Sequence, residues 1–258
     1  MLSLTSIELS AFIGTFWWPF CRIMGAFMVM PFLSSTYIPV MVRILLALSI
    51  SALLAPMLPA VPAVDAVSIG ALFLAVEQLL IGFMLALFLS IMIHVMTLLG
   101  AMMSMQMGLA MAVMNDPSSG SSPILGQWFL LYGTLLFLAL EGHLVAIGVL
   151  VDSFRLWPIG AGIFDLPLMG LVSRFAWLFA SAFMLALPSI LAMLMVNITF
   201  GVLSKAAPSL NVFALGFPMS MLMGLLCVML SFSGLPSRYS DLCLDSLSAM
   251  YQFIGGVV

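Results

Sequence analysis

Charged residues are scarce in this sequence. Lys, Arg, Asp and Glu make up 6% of the 258 residues, whereas hydrophobic residues make up 65%, and the mean hydropathy is +1.33. A soluble domain carries roughly 25% charged residues, so this chain cannot cover a surface that faces water. No basic run is present, and the formal charge of −3 comes from few groups, which gives no basis for nucleic-acid binding. The composition predicts an integral membrane protein, or a subunit enclosed by similarly apolar partners.

Cysteine is also rare. Cys21, Cys227 and Cys243 are odd in number and lack the spacing of a metal site, so we interpret them as free, small apolar residues. The N-terminus lacks a positively charged segment and carries Glu8, so no cleavable signal peptide is predicted. Neither a metal nor another cofactor is expected.

Most of the sequence consists of long apolar runs. A helix of about 20 residues crosses a hydrocarbon core. The third and fifth runs would each exceed about 50 Å as straight helices, so we expect them to be tilted, kinked, broken into hairpins or extended beyond the bilayer. Pro188 and, more weakly, Gly82 are the candidate kink positions. The six runs cover approximately residues 11–32, 40–60, 66–104, 124–151, 168–204 and 212–232.

Several polar residues lie within or beside these runs, where an unpaired charge is costly. We expect Arg22 to form an ion pair or to contact a carbonyl, and Glu77 to be buried against a donor or to line a wet cavity. Asn197 is placed to hydrogen-bond to a neighbouring helix. Glu141 and His143 are two residues apart and do not share a helix face, which argues against a catalytic pair. The candidates for buried polar or assembly roles are Arg22, Arg43, Glu77, His143, Asn197, Lys205 and Asn211.

The segment 102–123 is the most distinctive. Six of its first thirteen residues are methionine, and Met103, Met107, Met111 and Met114 share one face at helical spacing. A neighbouring row of small residues permits close backbone approach; it contains Gly100, Ser104, Gly108 and Ala112. Asn115-Asp116-Pro117 is predicted to stop the helix, because a residue before proline avoids the α-helical conformation. A deformable face that leads into a loop indicates a seal that can open.

The C-terminal part, 168–258, is predicted to be a helical hairpin followed by a tail. Its hinge is the segment 205–211, where Lys205, Pro208 and Asn211 interrupt the apolar pattern. After Pro236, charged and apolar residues alternate, which predicts an amphipathic end helix.

Motifs along residues 22–218 resemble the FliR family, the flagellar type III protein-export gate subunits, which are related to the SctT subunits of virulence secretion. The resemblance rests on their order and spacing together. The motifs are Arg22-x2-Gly25-x5-Pro31, Pro39-x3-Arg43-x3-Ala47, Glu77-x4-Gly82, Gln106-x-Gly108 with Asp116-Pro117 and Pro123, Gly142-His143, Ser153-Phe154-x3-Pro158-x-Gly160, and Leu210-Asn211-x-Phe213-x2-Gly216-Phe217-Pro218.

This resemblance implies an all-α, polytopic protein of apolar helical hairpins within a helical hetero-oligomeric ring. Residues 1–167 would be FliP-like, with a plug loop at about 104–123, and residues 168–258 would be FliQ-like. The implied partners are FliP-like and FliQ-like subunits, about five and four copies to one of this chain, with a FlhB-like subunit, rod components and unfolded flagellar proteins as substrates. The implied location is the bacterial inner membrane, in the flagellar basal body.

The resemblance also assigns a plug and gate. Its residues would be Gln106, Gly108, Met111, Met114, Asp116 and Pro117. Relatives often carry bulky aromatic residues where this chain has Met111 and Met114, so the plug would be softer here.

Two other function classes remain as alternatives. A small-molecule or ion transporter could use intramembrane charges such as Arg22, Glu77 and His94, but no internal repeat is visible. An intramembrane enzyme would need a nucleophile motif, which no serine here provides. The preferred hypothesis is a non-enzymatic channel subunit for protein export.

Overall fold

A computed structural model describes residues 6–35, 38–58, 64, 68–109, 123–163, 166–206 and 212–255. The regular elements among these residues are all helices, with no strand, which confirms the all-α prediction for the described part of the chain. We number the helices in chain order. They are α1 (Ser6–Val29), α2 (Val40–Leu54, followed by a 3-10 turn Ala55–Met57), α3 (Ile69–Gln106), α4 (Ile124–Ala139), α5 (Gly142–Leu156), α6 (Leu168–Ala206), α7 (Val212–Ser231) and α8 (Leu235–Phe253).

The two overlong apolar runs form unbroken helices. Helix α3 has 38 residues and α6 has 39, so each would extend about 57 Å or more if straight, at 1.5 Å per residue. Pro188 lies within α6 without ending it, and Gly82 lies within α3. Of the outcomes expected from sequence, a break into hairpins is therefore excluded for both helices.

The fourth apolar run does not form the single helix that its hydropathy predicts. It is broken at Leu140–Glu141 into α4 and α5, and Glu141 adopts a left-handed conformation with a φ of 55°. Its carbonyl accepts the first backbone hydrogen bonds of α5, from Leu144 and Val145. Because positive φ is unfavourable for a residue with a Cβ, the tertiary structure must hold this corner in place.

The predicted amphipathic end helix is present as α8. Toward its C-terminal end, three polar side chains join it to other helices. Ser246 Oγ donates to the carbonyl of Phe88 (2.9 Å), Tyr251 Oη donates to Asp152 (2.8 Å), and Asp245 forms an ion pair with Arg174 (2.7 Å). The alternation of charged and apolar residues after Pro236 was therefore a valid signal.

The chain divides into two compact units, each built from discontinuous segments. Unit 1 contains residues 1–91, 141–174 and 243–258, and its buried side chains include Phe27, Phe88 and Phe154. Unit 2 contains residues 92–140 and 175–242. An aromatic cluster of Trp128, Tyr132 and Phe232 lies in unit 2, with ring centroids 4.9–5.8 Å apart.

Among the described residues, three helical segments are long and apolar enough to cross a membrane, namely Val40–Met57, Ile69–Gln106 and Leu168–Ala206. The number rises to five if the bent pairs α4–α5 and α7–α8 each count as one span. The most apolar window of α3 is 67% buried, whereas those of α2 and α6 are only 17% and 22% buried. Helices α2 and α6 therefore leave most of their apolar surface available to lipid or to other proteins.

Candidate functional site

The side chain of Arg22 is fully buried in unit 1. Its Nε donates to Gln78 Oε1 (2.8 Å), and its Nη1 donates to the carbonyl and the hydroxyl of Ser153 (2.8 and 3.1 Å). The guanidinium also lies over the ring of Phe154, 4.4 Å from the ring centroid. Arg22 thus joins α1, α3 and α5, and the expected carbonyl contact is confirmed.

Close contact between the backbones of α1 and α3 places this arginine. A Cβ on Gly82 would overlap the carbonyl oxygen of Arg22, and a Cβ on Gly25 would overlap that of Leu79. Only glycine leaves room for the two helices to approach this closely. Gly82, which the sequence suggested as a weak kink, is therefore a packing position between helices.

Glu77 is partly exposed on α3, and its Oε1 accepts a hydrogen bond from Gln78 Nε2 (3.2 Å). A donor is therefore present, as a neutral amide, but Glu77 is not buried against it as expected. Sequence reasoning missed Gln78 and Ser153 as the hydrogen-bond partners of Arg22. The available signal was the pair of polar residues Glu77-Gln78 within an otherwise apolar helix.

Arg43 and His143 lie in separate polar environments of unit 1. The Nη2 of Arg43 donates to the carbonyls of Ser35 and Ile38, which ties the start of α2 to the preceding turn. His143 meets the ring of Phe32 edge-on, with centroids 6.4 Å apart. Within the described residues, the buried atoms Arg43 Nε and His143 Nδ1 have no hydrogen-bond partner.

Helix α3 ends at Gln106 through a glycine cap. Gly108 has a φ of 75°, and its N–H donates to the carbonyl of Met105, while the N–H of Leu109 donates to that of Ser104. This pairing is the Schellman motif, in which glycine adopts the left-handed conformation. The expectation that Asn115-Asp116-Pro117 stops this helix is therefore wrong, because the helix has already ended at its glycine cap.

Two of the methionines before this cap are buried in unit 2, whereas Met105 is exposed. Met103 is 4% exposed and Met107 is 1% exposed, which identifies both as core contacts. The side chain of Met107 fills the space that a Cβ on Gly224 of α7 would need. A cavity of about 10 Å³ remains beside them, with room for about one water molecule. It is lined by Met103, Gln106, Met107, Ser189, Ile190, Met193, Gly224 and Cys227.

Four of the predicted plug residues, Met111, Met114, Asp116 and Pro117, lie outside the described residues, as does the hinge residue Asn211. Gln106 is partly exposed in the last turn of α3. Asn197 and Lys205 are exposed on α6, and Lys205 lies in its last turn, where a positive charge is favourable. Within the described part of the chain, the side-chain amide of Asn197 forms no hydrogen bond.

In the part of the chain that the structure describes, no three His, Cys, Asp or Glu side chains form a group that could hold a metal ion. What the structure brings together is of another kind. It contains a fixed polar cluster around Arg22 and a tightly packed, methionine-lined helix end that leads toward residues 110–122. These features position helices rather than activate a substrate.

Comparison with known proteins adds a family. The family described as bacterial export proteins, family 1, matches residues 13–246. The chain is 34% identical to the flagellar biosynthetic protein FliR of Escherichia coli (strain K12) over 227 residues, 87% of either chain. It is 31% identical to that of Pectobacterium carotovorum subsp. carotovorum over 97% of this chain and 99% of the relative. The FliR of Aquifex aeolicus (strain VF5) is 28% identical over 90% of this chain and 91% of the relative.

Proposed function

The chain belongs to the bacterial export proteins of family 1, and on that premise we propose that it is a structural subunit of the flagellar protein-export gate. The observation that carries the proposal is the match over residues 13–246, together with FliR relatives that align over most of their own length. Those relatives are named as flagellar biosynthetic proteins, and the proposed role is non-enzymatic.

The exposed apolar surface supports a role within an assembly in the membrane. Helices α2 and α6 leave most of their apolar windows exposed. Large side chains such as Met169, Phe179 and Met184 lie on the exposed surface of α6. Such a surface is stable only against lipid or other apolar subunits. We place the chain in the bacterial inner membrane, at the flagellar basal body.

The partners that we propose are FliP-like and FliQ-like subunits, about five and four to one copy of this chain, with a FlhB-like subunit and rod components nearby. Residues 1–167 would take a FliP-like position and residues 168–258 a FliQ-like position. The hairpin of α6 and α7 supports the second part of this assignment. Head-to-tail contacts between subunits of this kind generate a helical assembly when the ring does not close.

We further propose that residues 104–123 help to seal the pore through which unfolded flagellar proteins pass. The buried residues Met103 and Met107, together with the glycine cap at Gly108, would anchor the base of this segment. The remainder of the gate would consist of Gln106, Met111, Met114, Asp116 and Pro117. A thioether side chain fills an irregular gap and is displaced at little cost, which suits a seal that opens for export.

Deletion and complementation test this function. In a bacterium that lacks the gene for this chain, secretion of flagellar proteins and swimming should be lost, and both should return when the chain is supplied from a plasmid. A control plasmid that encodes the chain without residues 168–258 should restore neither. Normal secretion in the deletion strain would refute the proposed function.

A further inference from the structure

One row of side chains on α3 lies on its exposed surface. Ile69, Phe73 and Leu80 are 77%, 72% and 40% exposed, and their spacing of four and then seven residues places them on one helix face. Glu77 falls in the same row, between Phe73 and Leu80. The opposite face is buried in unit 1. It contains Ala71, Leu74, Gln78 and Ile81. A carboxylate therefore interrupts an otherwise apolar exposed row.

The position of this carboxylate is fixed from the buried side. Gln78 is fully buried; its Oε1 accepts from Arg22 Nε (2.8 Å), and its Nε2 donates to Glu77 Oε1 (3.2 Å). Because the amide oxygen must face the guanidinium, the amide nitrogen must face Glu77. A series of hydrogen bonds thus leads from the core to the exposed row through Arg22, Gln78 and Glu77.

The Glu77 carboxylate can accept further hydrogen bonds. Its second oxygen accepts no hydrogen bond within the described residues, and no cation there lies within 4.0 Å of it. Covering the row with an apolar surface would remove water from an ionised group, which is unfavourable unless a direct charge partner replaces the water. Within the chain, Gln78 supplies only a neutral donor, and the charge of Arg22 acts on Glu77 at a distance, from behind that amide, so the direct partner that is missing is a cation.

We propose that Glu77 binds a Lys or Arg side chain from a helix of a neighbouring subunit, which packs along Ile69, Phe73 and Leu80. This inference rests on the proposed function, since it specifies one contact within that assembly. The row is apolar on both sides of Glu77. The occupant must therefore be apolar on both sides of its cation, as a helix with one basic residue is. A lipid headgroup amine has an apolar part on one side only.

Site-specific photocrosslinking in living cells tests this contact. A photoreactive amino acid at Phe73 should crosslink to another protein subunit, in a segment with Lys or Arg within about one helical turn, roughly 5.4 Å. Glu77→Gln keeps an acceptor for Gln78 but removes the charge, and should reduce the crosslink by about tenfold. Glu77→Asp should retain most of it. Glu141→Gln, which changes an exposed carboxylate outside the row, should leave it unchanged.

Several results would overturn the proposal. These are crosslinks to lipid alone, a crosslinked segment without a basic residue, or a protein crosslink that Glu77→Gln does not weaken. An equal loss of membrane-bound chain in Glu77→Gln and Glu77→Asp would also overturn it, because size rather than charge would then matter. Secretion measured in the same strains separates the two proposals. If the chain restores secretion but does not form this crosslink, the proposed function stands and the proposed contact is refuted. If it forms the crosslink but does not restore secretion, the contact stands and the proposed function is refuted.

Discussion

Replacing Gly82 by alanine should destabilise the protein although alanine is the better helix former. A Cβ at this position would lie 2.8 Å from the carbonyl carbon of Arg22, 3.0 Å from the backbone nitrogen of Ala26, and closer still to the Arg22 carbonyl oxygen. All three atoms belong to the backbone of α1, so no side-chain rotation can relieve the overlap. Helices α1 and α3 must therefore move apart.

The size of the effect follows from opposing contributions. Replacing glycine by alanine within a helix raises the free energy of unfolding by about 1 kcal/mol. Forcing apart a tightly packed contact costs about 1–3 kcal/mol. Separating the helices also stretches the hydrogen bonds from Arg22 to Gln78 and Ser153, each worth about 1 kcal/mol. The expected net destabilisation is about 1–3 kcal/mol, or several degrees in the thermal midpoint at about 2–4 °C per kcal/mol for a chain of this size.

The matched control is Gly148→Ala in α5, where no atom lies within 4 Å of the added Cβ. This change should raise stability by about 0.5–1 kcal/mol through helix propensity alone. Both variants can be compared as fluorescent fusions that are co-expressed with the proposed partner subunits, extracted in mild detergent, heated in steps and analysed by size-exclusion chromatography. A midpoint for Gly82→Ala at or above that of the unmodified protein would refute the proposed contact between α1 and α3.

Three further predictions use the same preparations. Arg22→Leu leaves the buried Gln78 Oε1 without a donor, although the Ser153 carbonyl still accepts from the Trp157 N–H, and should destabilise by about 1–3 kcal/mol in the thermal assay; an unchanged midpoint would contradict the role of this cluster. Met107→Ala should lower the free energy of unfolding by about 2–5 kcal/mol and reduce the amount of assembled complex. The double variant with Met111→Gly and Met114→Gly should instead leave the complex intact and raise ion conductance across the membrane. A normal complex with normal conductance in the double variant would count against a seal. A single cysteine at Ser209, in a variant without native cysteines, should react with an impermeant maleimide from the cytoplasmic side, and labelling only from the periplasm would reverse the orientation.

Features that depend on local pattern were predictable from the sequence. The apolar runs located α3 and α6, and the alternation after Pro236 located α8. The cost of a buried charge predicted that Arg22 would form an ion pair or contact a carbonyl, and it contacts a carbonyl. In each case the physical cause lies in neighbouring residues or in the charge itself, so no knowledge of tertiary contacts was needed.

Features that depend on distant contacts were not predictable. The break at Glu141 places a glutamate in a left-handed conformation, which local propensity disfavours and only the surrounding structure can hold. Gly108 ends α3 through its cap, although Asp116-Pro117 was the stronger signal in the sequence. Gln78 and Ser153 accept hydrogen bonds from Arg22 at 56 and 131 residues' distance along the chain, a separation that no spacing rule covers.

Native mass spectrometry of the complex extracted in mild detergent tests the central claim most directly. The apolar surface of α2 and α6 must be covered by lipid or by other apolar subunits, and the proposed function assigns FliP-like and FliQ-like subunits to it. The chain should therefore be recovered as one copy with several of those subunits. Expressed without those subunits, it should aggregate or be degraded. A monodisperse, protease-resistant monomer whose stability depends on a small ligand would contradict the account and favour a transporter.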